Sequence, residues 1–272
     1  MKSTPLQLAF SPCPNDTFVF DAWVNGRLDG APAVDVTFAD VDVTNARAEG
    51  GDFDVVKVSY AALPWLLEQY NLLPCGGALG RGCGPLVLTR GDRDSIDGAR
   101  VAIPGERTTA YLLMRLWASG RDPASIDVVP FAQIMPAVRA GRYDAGLVIH
   151  EARFTYPDYG LSALADLGDW WESGTGLPIP LGAILARKGL DAAALAEIVR
   201  ASVDHGWAHP EDSASYVAEH ADEMDPGVQR RHIELYVNAF TRELGEEGYA
   251  AVDALLTRAH AEGLVPSCPP LR

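Results

Sequence analysis

Cysteine is scarce in this 272-residue chain. Cys13, Cys75, Cys83 and Cys268 form no C-x-x-C pair and have no nearby histidine at metal-ligand spacing, so no zinc centre is expected. The thiols are expected to be free, and Cys13 or Cys83 would serve as a nucleophile only beside a general base. Positive charge is also in short supply. With 22 basic against 37 acidic residues, the net charge of -15 repels phosphate backbones and anionic membrane surfaces. Nucleic acid is therefore not an expected partner, and no basic helical pair suggests a DNA-reading module. No apolar run is long enough to span a bilayer, and the five-residue apolar stretch near the N-terminus is too short for a secretory signal, so a cytoplasmic location without a membrane role is expected. The P-loop lysine, the Gly-x-Ser-x-Gly elbow and any spacing of paired catalytic carboxylates are missing as well. An acidic surface still leaves room for a locally basic pocket that takes a small carboxylate, with Lys57, Arg81, Arg107 and Arg153 as its candidate cations.

The chain alternates short β-rich runs with amphipathic helical patterns, which predicts an α/β fold with largely parallel sheets. Strands are expected at 6–10, 34–38, 54–58 and 85–89, and again at 100–104, 127–131 and 145–149. The two series repeat: "GDFDVVKVSY" at 51–60 aligns without gaps to "GRYDAGLVIH" at 141–150. "LAFSPCPNDTF" and "VAIPGERTTAY" correspond more loosely, each being a strand, a proline-containing turn, polar residues and a helix. Two lobes of βαβαβ design follow. The first comprises 1–92 with 187–272, the second is an insertion at 93–186, and "GLPIPLGAILARKG" at 176–189 is the return strand. Beyond 190 the pattern is helical, with Ile233, Tyr236, Val237 and Phe240 on one expected helix.

Open parallel sheets bind ligands beyond the carboxyl ends of their strands, which puts a cleft between the lobes. Ser11 to Thr17, Asp42 to Asn45, Ser59, Tyr60, Arg107 to Ala110 and His150 fall there. In "SPCPNDTF" the two prolines stiffen the turn, and Asn15 or Asp16 is placed either to cap the following helix or to meet a ligand, with capping of the helix by Asp16 the plainer role. Thr108 and Thr109 offer hydroxyls and amides at a helix start, again as caps or as ligand contacts. His150 ends a buried strand where the lobe repeat places Tyr60. It is either a general base oriented by Glu151 or a backbone carbonyl, or a histidine simply hydrogen-bonded at a strand end. His205, His209, His220, His232 and His260 read as surface or capping residues. The glycine-rich "CGGALGRGCGPLV" at 75–87 reads as a hinge or crossover, or as backbone that approaches a ligand closely.

Taken together, "SPCPNDTFVFDAWVNGRL", "GDFDVVKVSY", "GGALGRGCGPLV", "GERTTAYLL", "GLVIHEARFTY" and "GLPIPLGAI" resemble the 1,4-dihydroxy-6-naphthoate synthases of the futalosine route to menaquinone, over about residues 6–260. The resemblance implies a periplasmic-binding-protein-like fold of two lobes, used as an enzyme without a metal or organic cofactor. It implies a lyase step on cyclic dehypoxanthinyl futalosine that releases 1,4-dihydroxy-6-naphthoate. The family's general base falls on His150, and its substrate contacts fall on Lys57, Val58 and Ser59 and on Thr109 and Ala110. Thr108, Asn15, Asp16 and Asn45 complete the expected substrate-binding set, with no metal ligand, and the protein is expected as a monomer or homodimer. The competing expectation is a binding protein for a small carboxylate, because a fold does not fix a function. The effector domain of a regulator is a more distant one.

Overall fold

The computed structural model describes residues 4–221 and 225–272, and its architecture is two mixed β-sheets with helices packed on their faces. The first sheet contains β1 (Leu6–Phe10), β2 (Val34–Phe38), β3 (Val55–Ser59), β4 (Tyr70–Leu72) and β5 (Ala78–Gly80). The second contains β6 (Leu86–Thr89), β7 (Arg100–Ile103), β8 (Ser125–Val128), β9 (Ala145–Val148) and β10 (Ser162–Asp166). The last strand, β11 (Ile179–Arg187), returns to the first sheet. Strand order is β2-β1-β3-β11-β4, with β5 also on β11, and β10-β6-β9-β7-β8.

The repeat seen in the sequence is present in space. β1 runs parallel to β2 and β3, and β7 runs parallel to β8 and β9. The expectation of largely parallel sheets needs correcting at the crossovers: β11 is antiparallel to β3, β4 and β5, and β6 is antiparallel to β9 and β10. These strands carry the chain between the sheets, so they enter beside a neighbour pointing the other way. The sheet crossings fall at 81–85 and 167–178, earlier than the expected boundaries at 93 and 186. The reason is that Leu86–Thr89 pairs with β9 of the second sheet, a non-local contact that leaves no local signature.

Alternation along the strands buries both faces of the first sheet. Leu8, Phe10, Val55 and Ile184 join one apolar cluster, while Ala9, Val56, Val58 and Leu185 join another on the opposite face. Helix Pro14–Val24 leaves the end of β1, and helix Thr109–Trp117 follows β7. One expected helix is in fact two, Pro226–Tyr236 and Ala239–Arg242. Asn238 breaks the run because its side chain accepts from the Phe240 N–H while Thr241 Oγ1 accepts from the Asn238 N–H, a capping box that starts a new helix.

The glycine-rich stretch is packed rather than a loose hinge. Ala78, Leu79 and Cys83 are buried in it. A Cβ on Gly84 would come within 2.1 Å of the Gly168 backbone nitrogen and 2.3 Å of its Cα, and backbone cannot step aside as a side-chain tip can. Gly84→Ala is therefore expected to destabilise the protein by about 1–3 kcal/mol or more, read from the midpoint of urea unfolding at unchanged m-value. An alanine variant as stable as wild type would contradict this packing.

Candidate functional site

The end of β3, the turn after β1 and the start of helix Thr109–Trp117 meet at a cleft between the sheets of about 660 Å³, its open mouth included. Lys57, Val58 and Ser59 from β3 and Leu181 and Gly182 from β11 form one wall. Thr108, Thr109, Ala110, Ile149 and His150 form the other. Ser11, Asn15 and Asp16 line the end nearest the N-terminal turn, and Val41, Thr44, Ala78, Cys83, Pro85 and Tyr236 complete the lining. Of the expected binding residues, only Asn45 is not on the wall. It sits one layer behind, 1% exposed, where its Oδ1 accepts the Ser59 N–H at 2.8 Å and its Nδ2 donates to Ser59 Oγ at 3.1 Å. With its oxygen already accepting, the Ser59 hydroxyl keeps its own hydrogen to donate.

Asp16 does not cap its helix. Cys13 is the N-cap residue without a side-chain cap, and Pro14 supplies the first helical position, where a missing N–H costs nothing. The Asp16 carboxylate instead accepts from Ser11 Oγ at 2.9 Å, Asn15 Nδ2 at 2.8 Å and Lys57 Nζ at 2.7 Å. Lys57 also donates to the Gly76 carbonyl at 3.1 Å, and the ion pair is 5% exposed on each side. The expected basic pocket thus reduces to this one neutralised lysine. Arg107 pairs with Glu49 and stacks over Trp65, Arg153 with Asp166, and Arg81 with Glu247, none of them on the cleft wall.

Both threonines of "GERTTAY" do structural work. Thr108 caps helix Thr109–Trp117, its Oγ1 accepting from the Tyr111 N–H at 3.2 Å and donating to Gly105 O at 2.8 Å. Thr109 Oγ1 donates to Leu181 O at 2.7 Å and accepts from the Ala61 N–H at 3.2 Å, stitching the second lobe's helix to β11 and to the turn after β3. What this segment presents to a ligand is therefore backbone: the first N–H groups of the helix, at Thr109 and Ala110, have no intrahelical acceptor and sit at the positive end of the helix dipole.

His150 lies just past β9, half-buried on the cleft wall, and is the one non-glycine residue with positive φ (55°) among the described residues. Its ring meets the Phe131 ring edge-on at 5.6 Å and lies 6.0 Å from the His232 ring, 11° from parallel. Burial lowers its pKa to about 4, with Asp16 opposing that shift and Lys57 adding to it, so the imidazole is neutral at pH 7 with a free lone pair. His232 was expected on the surface; it is fully buried, because helix Pro226–Tyr236 packs against helix Pro14–Val24 and brings its Nε2 within 2.9 Å of Asn15 Oδ1. Burial and the neighbouring His150 hold its pKa well below the usual 6.5. Glu151 stands with its Oε2 3.9 Å from His232 Nδ1. No periodicity reveals this second histidine, whose neighbours in "QRRHIELY" are mostly polar.

These two pKa shifts set a sign. A folded-state pKa below the unfolded value of about 6.5 means that the unfolded chain binds more protons as the pH drops below that value. The stability associated with the neutral rings is thus intact above about 6.5 and is lost as pH falls below that value, towards about 4 for His150. Urea unfolding at about pH 7.5 and about pH 5 is expected to show wild type losing more stability on acidification than His150→Asn. Equal losses would contradict the assignment.

The cysteines are not poised as nucleophiles. Burial pushes the Cys13 thiol well up, with the Glu151 carboxylate adding to the effect, and burial pushes Cys83 up to about 12. All four cysteines are free. Cys13 Sγ, a His150 ring nitrogen and a Glu151 oxygen lie within 4.8 Å of one another, the one grouping of mixed donors close enough to share a cation among the described residues.

Two mixed sheets joined by crossing strands around a central cleft define a periplasmic-binding-protein-like fold. The solved structure of the alkanesulfonate-binding protein SsuA from Xanthomonas axonopodis pv. citri, bound to MOPS, superposes with a TM-score of 0.72 at 16% identity, covering 98% of this chain and 96% of that one. Among proteins of this fold, the chain belongs to the menaquinone biosynthesis family, which matches residues 6–261. It is 63% identical to a 1,4-dihydroxy-6-naphthoate synthase of Streptomyces coelicolor, covering 99% of this chain and 98% of that protein. A second 1,4-dihydroxy-6-naphthoate synthase, from Thermus thermophilus, is 48% identical, with 97% of each chain covered.

Proposed function

We propose that the protein is a carbon-carbon lyase that converts cyclic dehypoxanthinyl futalosine to 1,4-dihydroxy-6-naphthoate, with His150 as general base in the interlobe cleft and no cofactor. The observation that carries this reading is a neutral imidazole on the wall of the cleft that Ser59 and the Thr109–Ala110 helix start also line. His150 takes an acidic proton beside a carbonyl-bearing carbon. The electron pair passes to the carbonyl as an enolate; as the ring becomes aromatic, the carbon-carbon bond breaks with its electrons going to the sugar remnant, which leaves carrying the proton returned by the His150 imidazolium. The Ser59 hydroxyl and the amides at Thr109 and Ala110 are donors suited to a developing enolate oxygen or to the substrate carboxylate. Lys57, paired with Asp16, sets the polar end of the cleft, and Asn15 belongs to the same hydrogen-bonded group. The reading includes a cytoplasmic protein acting as a monomer or homodimer. Its two lobes, 1–92 with 187–272 and the inserted 93–186 with margins adjusted to the sheet crossings, would close to exclude water.

Incubation with cyclic dehypoxanthinyl futalosine tests this directly, with 1,4-dihydroxy-6-naphthoate followed by its absorbance or by mass spectrometry. Release without added metal or organic cofactor is expected. Tight binding without turnover would favour instead a binding protein for a small carboxylate.

A further inference from the structure

His232 is the most buried ionisable ring near the cleft, at 0% exposure, and the proposed chemistry gives it no task. Its tautomer follows from the acceptors around it. The Asp16 carboxylate only accepts, and Asn15 Nδ2 donates to its Oδ1, which turns the Asn15 carbonyl oxygen towards His232. The His232 Nε2 at 2.9 Å from that oxygen must therefore carry the hydrogen, and Nδ1, on the Glu151 side, is the lone-pair nitrogen. His232 Nε2 thus donates to Asn15, and Asn15 donates to the Asp16 carboxylate that Lys57 also holds, a chain of hydrogen bonds that fixes one orientation of the His232 ring. That ring lies nearly parallel to His150, with Phe131 edge-on to the same imidazole. His150 needs such support because a non-glycine residue held at φ 55° persists only where its surroundings over-determine it.

We propose that His232 is a positioning residue: locked as the Nε2–H tautomer by Asn15, it forms the wall that holds the His150 imidazole aimed into the cleft. This inference rests on His150 being the base. It predicts an effect on kcat, transmitted through His150, and none through substrate contact.

The test is a double-mutant cycle with the full chain. His232→Asn is expected to lower kcat about 10- to 100-fold with KM within about twofold, the scale of a small misplacement of a reacting group. His232→Gln, whose amide nitrogen reaches the Nε2 position and still donates to Asn15, is expected to restore most of the rate. In a His150→Asn background, His232→Asn is expected to cost nothing further. Equal losses in both backgrounds, a loss confined to KM, or a glutamine variant no better than asparagine would overturn the proposal. A His150→Asn variant with the wild-type rate would instead overturn the base assignment. Since a buried substitution also risks the fold, histidine 15N spectra of the wild type provide an independent readout: a hydrogen on Nε2 of His232 is expected, and one on Nδ1 would overturn the proposal.

Discussion

Replacing His150 with asparagine is expected to lower kcat by at least about two orders of magnitude while the chain still folds. Asparagine suits this test because the backbone there has φ 55°, a region asparagine tolerates, whereas alanine or a β-branched residue would add strain and confuse a catalytic loss with a folding one. The amide keeps hydrogen-bonding capacity but has no basic nitrogen. Substrate affinity is expected to be retained, because the groups assigned to binding, at Lys57, Ser59, Thr109 and Ala110, lie on other elements. Removing the group that acts only in the transition state should therefore appear in kcat and kcat/KM together. Steady-state kinetics, with circular dichroism to match folding, read the result. A variant within about threefold of wild type would reject a general base at this position.

The second large effect is on stability. Lys57→Met is expected to cost about 3–5 kcal/mol, because it leaves the Asp16 carboxylate buried without its cation. The ion pair is 2.7 Å long and 5% exposed on both sides, so water from the cleft replaces little of the lost partner. Two hydrogen bonds remain to that carboxylate, from Ser11 and Asn15, which limit the damage without replacing a charge. Pairing Lys57→Met with Asp16→Asn removes both charges and is expected to lose less than the sum of the single variants, since the two groups share one interaction. Urea denaturation of the four proteins measures this. Additive losses would mean that the pair is energetically uncoupled.

How much of this could be read from the residues depends on the range of the interaction concerned. The lobe repeat was legible because "GDFDVVKVSY" and "GRYDAGLVIH" each encode a turn and a buried strand locally, and β3 and β9 lie where that alignment puts them. His150 was legible for the same reason, as the polar residue ending a buried strand. The sheet to which 86–89 belongs was not, because an apolar strand looks the same whichever sheet it joins. The three-residue strands β4 and β5 are too short to show alternation. Asn45 was placed one layer too far forward: the sequence marks it as a polar residue following β2 at the cleft, whereas only the fold shows that it grips Ser59 from behind. His232 was the costliest misreading. Its burial depends on contact with Asn15, 217 residues away in the chain, and no window along the helix carries that information.

The same distinction separates the roles of Asp16 and Thr109 from the capping patterns they mimic. Each sits in the first turn of its helix with a side chain suited to capping, yet Asp16 neutralises Lys57 and Thr109 ties together elements of both sheets. Cleft polarity in this fold is thus supplied largely by groups already engaged with one another. Ser59 and the helix-start amides are among the donors a substrate would meet.

The central claim is that one substrate is held between the His150 imidazole on one wall and Ser59 with the Thr109–Ala110 amides on the other. A crystal structure of His150→Asn soaked with cyclic dehypoxanthinyl futalosine tests this most directly. The account predicts the ligand in this cleft, with its acidic carbon beside residue 150 and an oxygen within hydrogen-bond distance of Ser59 or the helix-start amides. Ligand bound at another surface, or seated in the cleft with its reactive carbon turned away from residue 150, would contradict it.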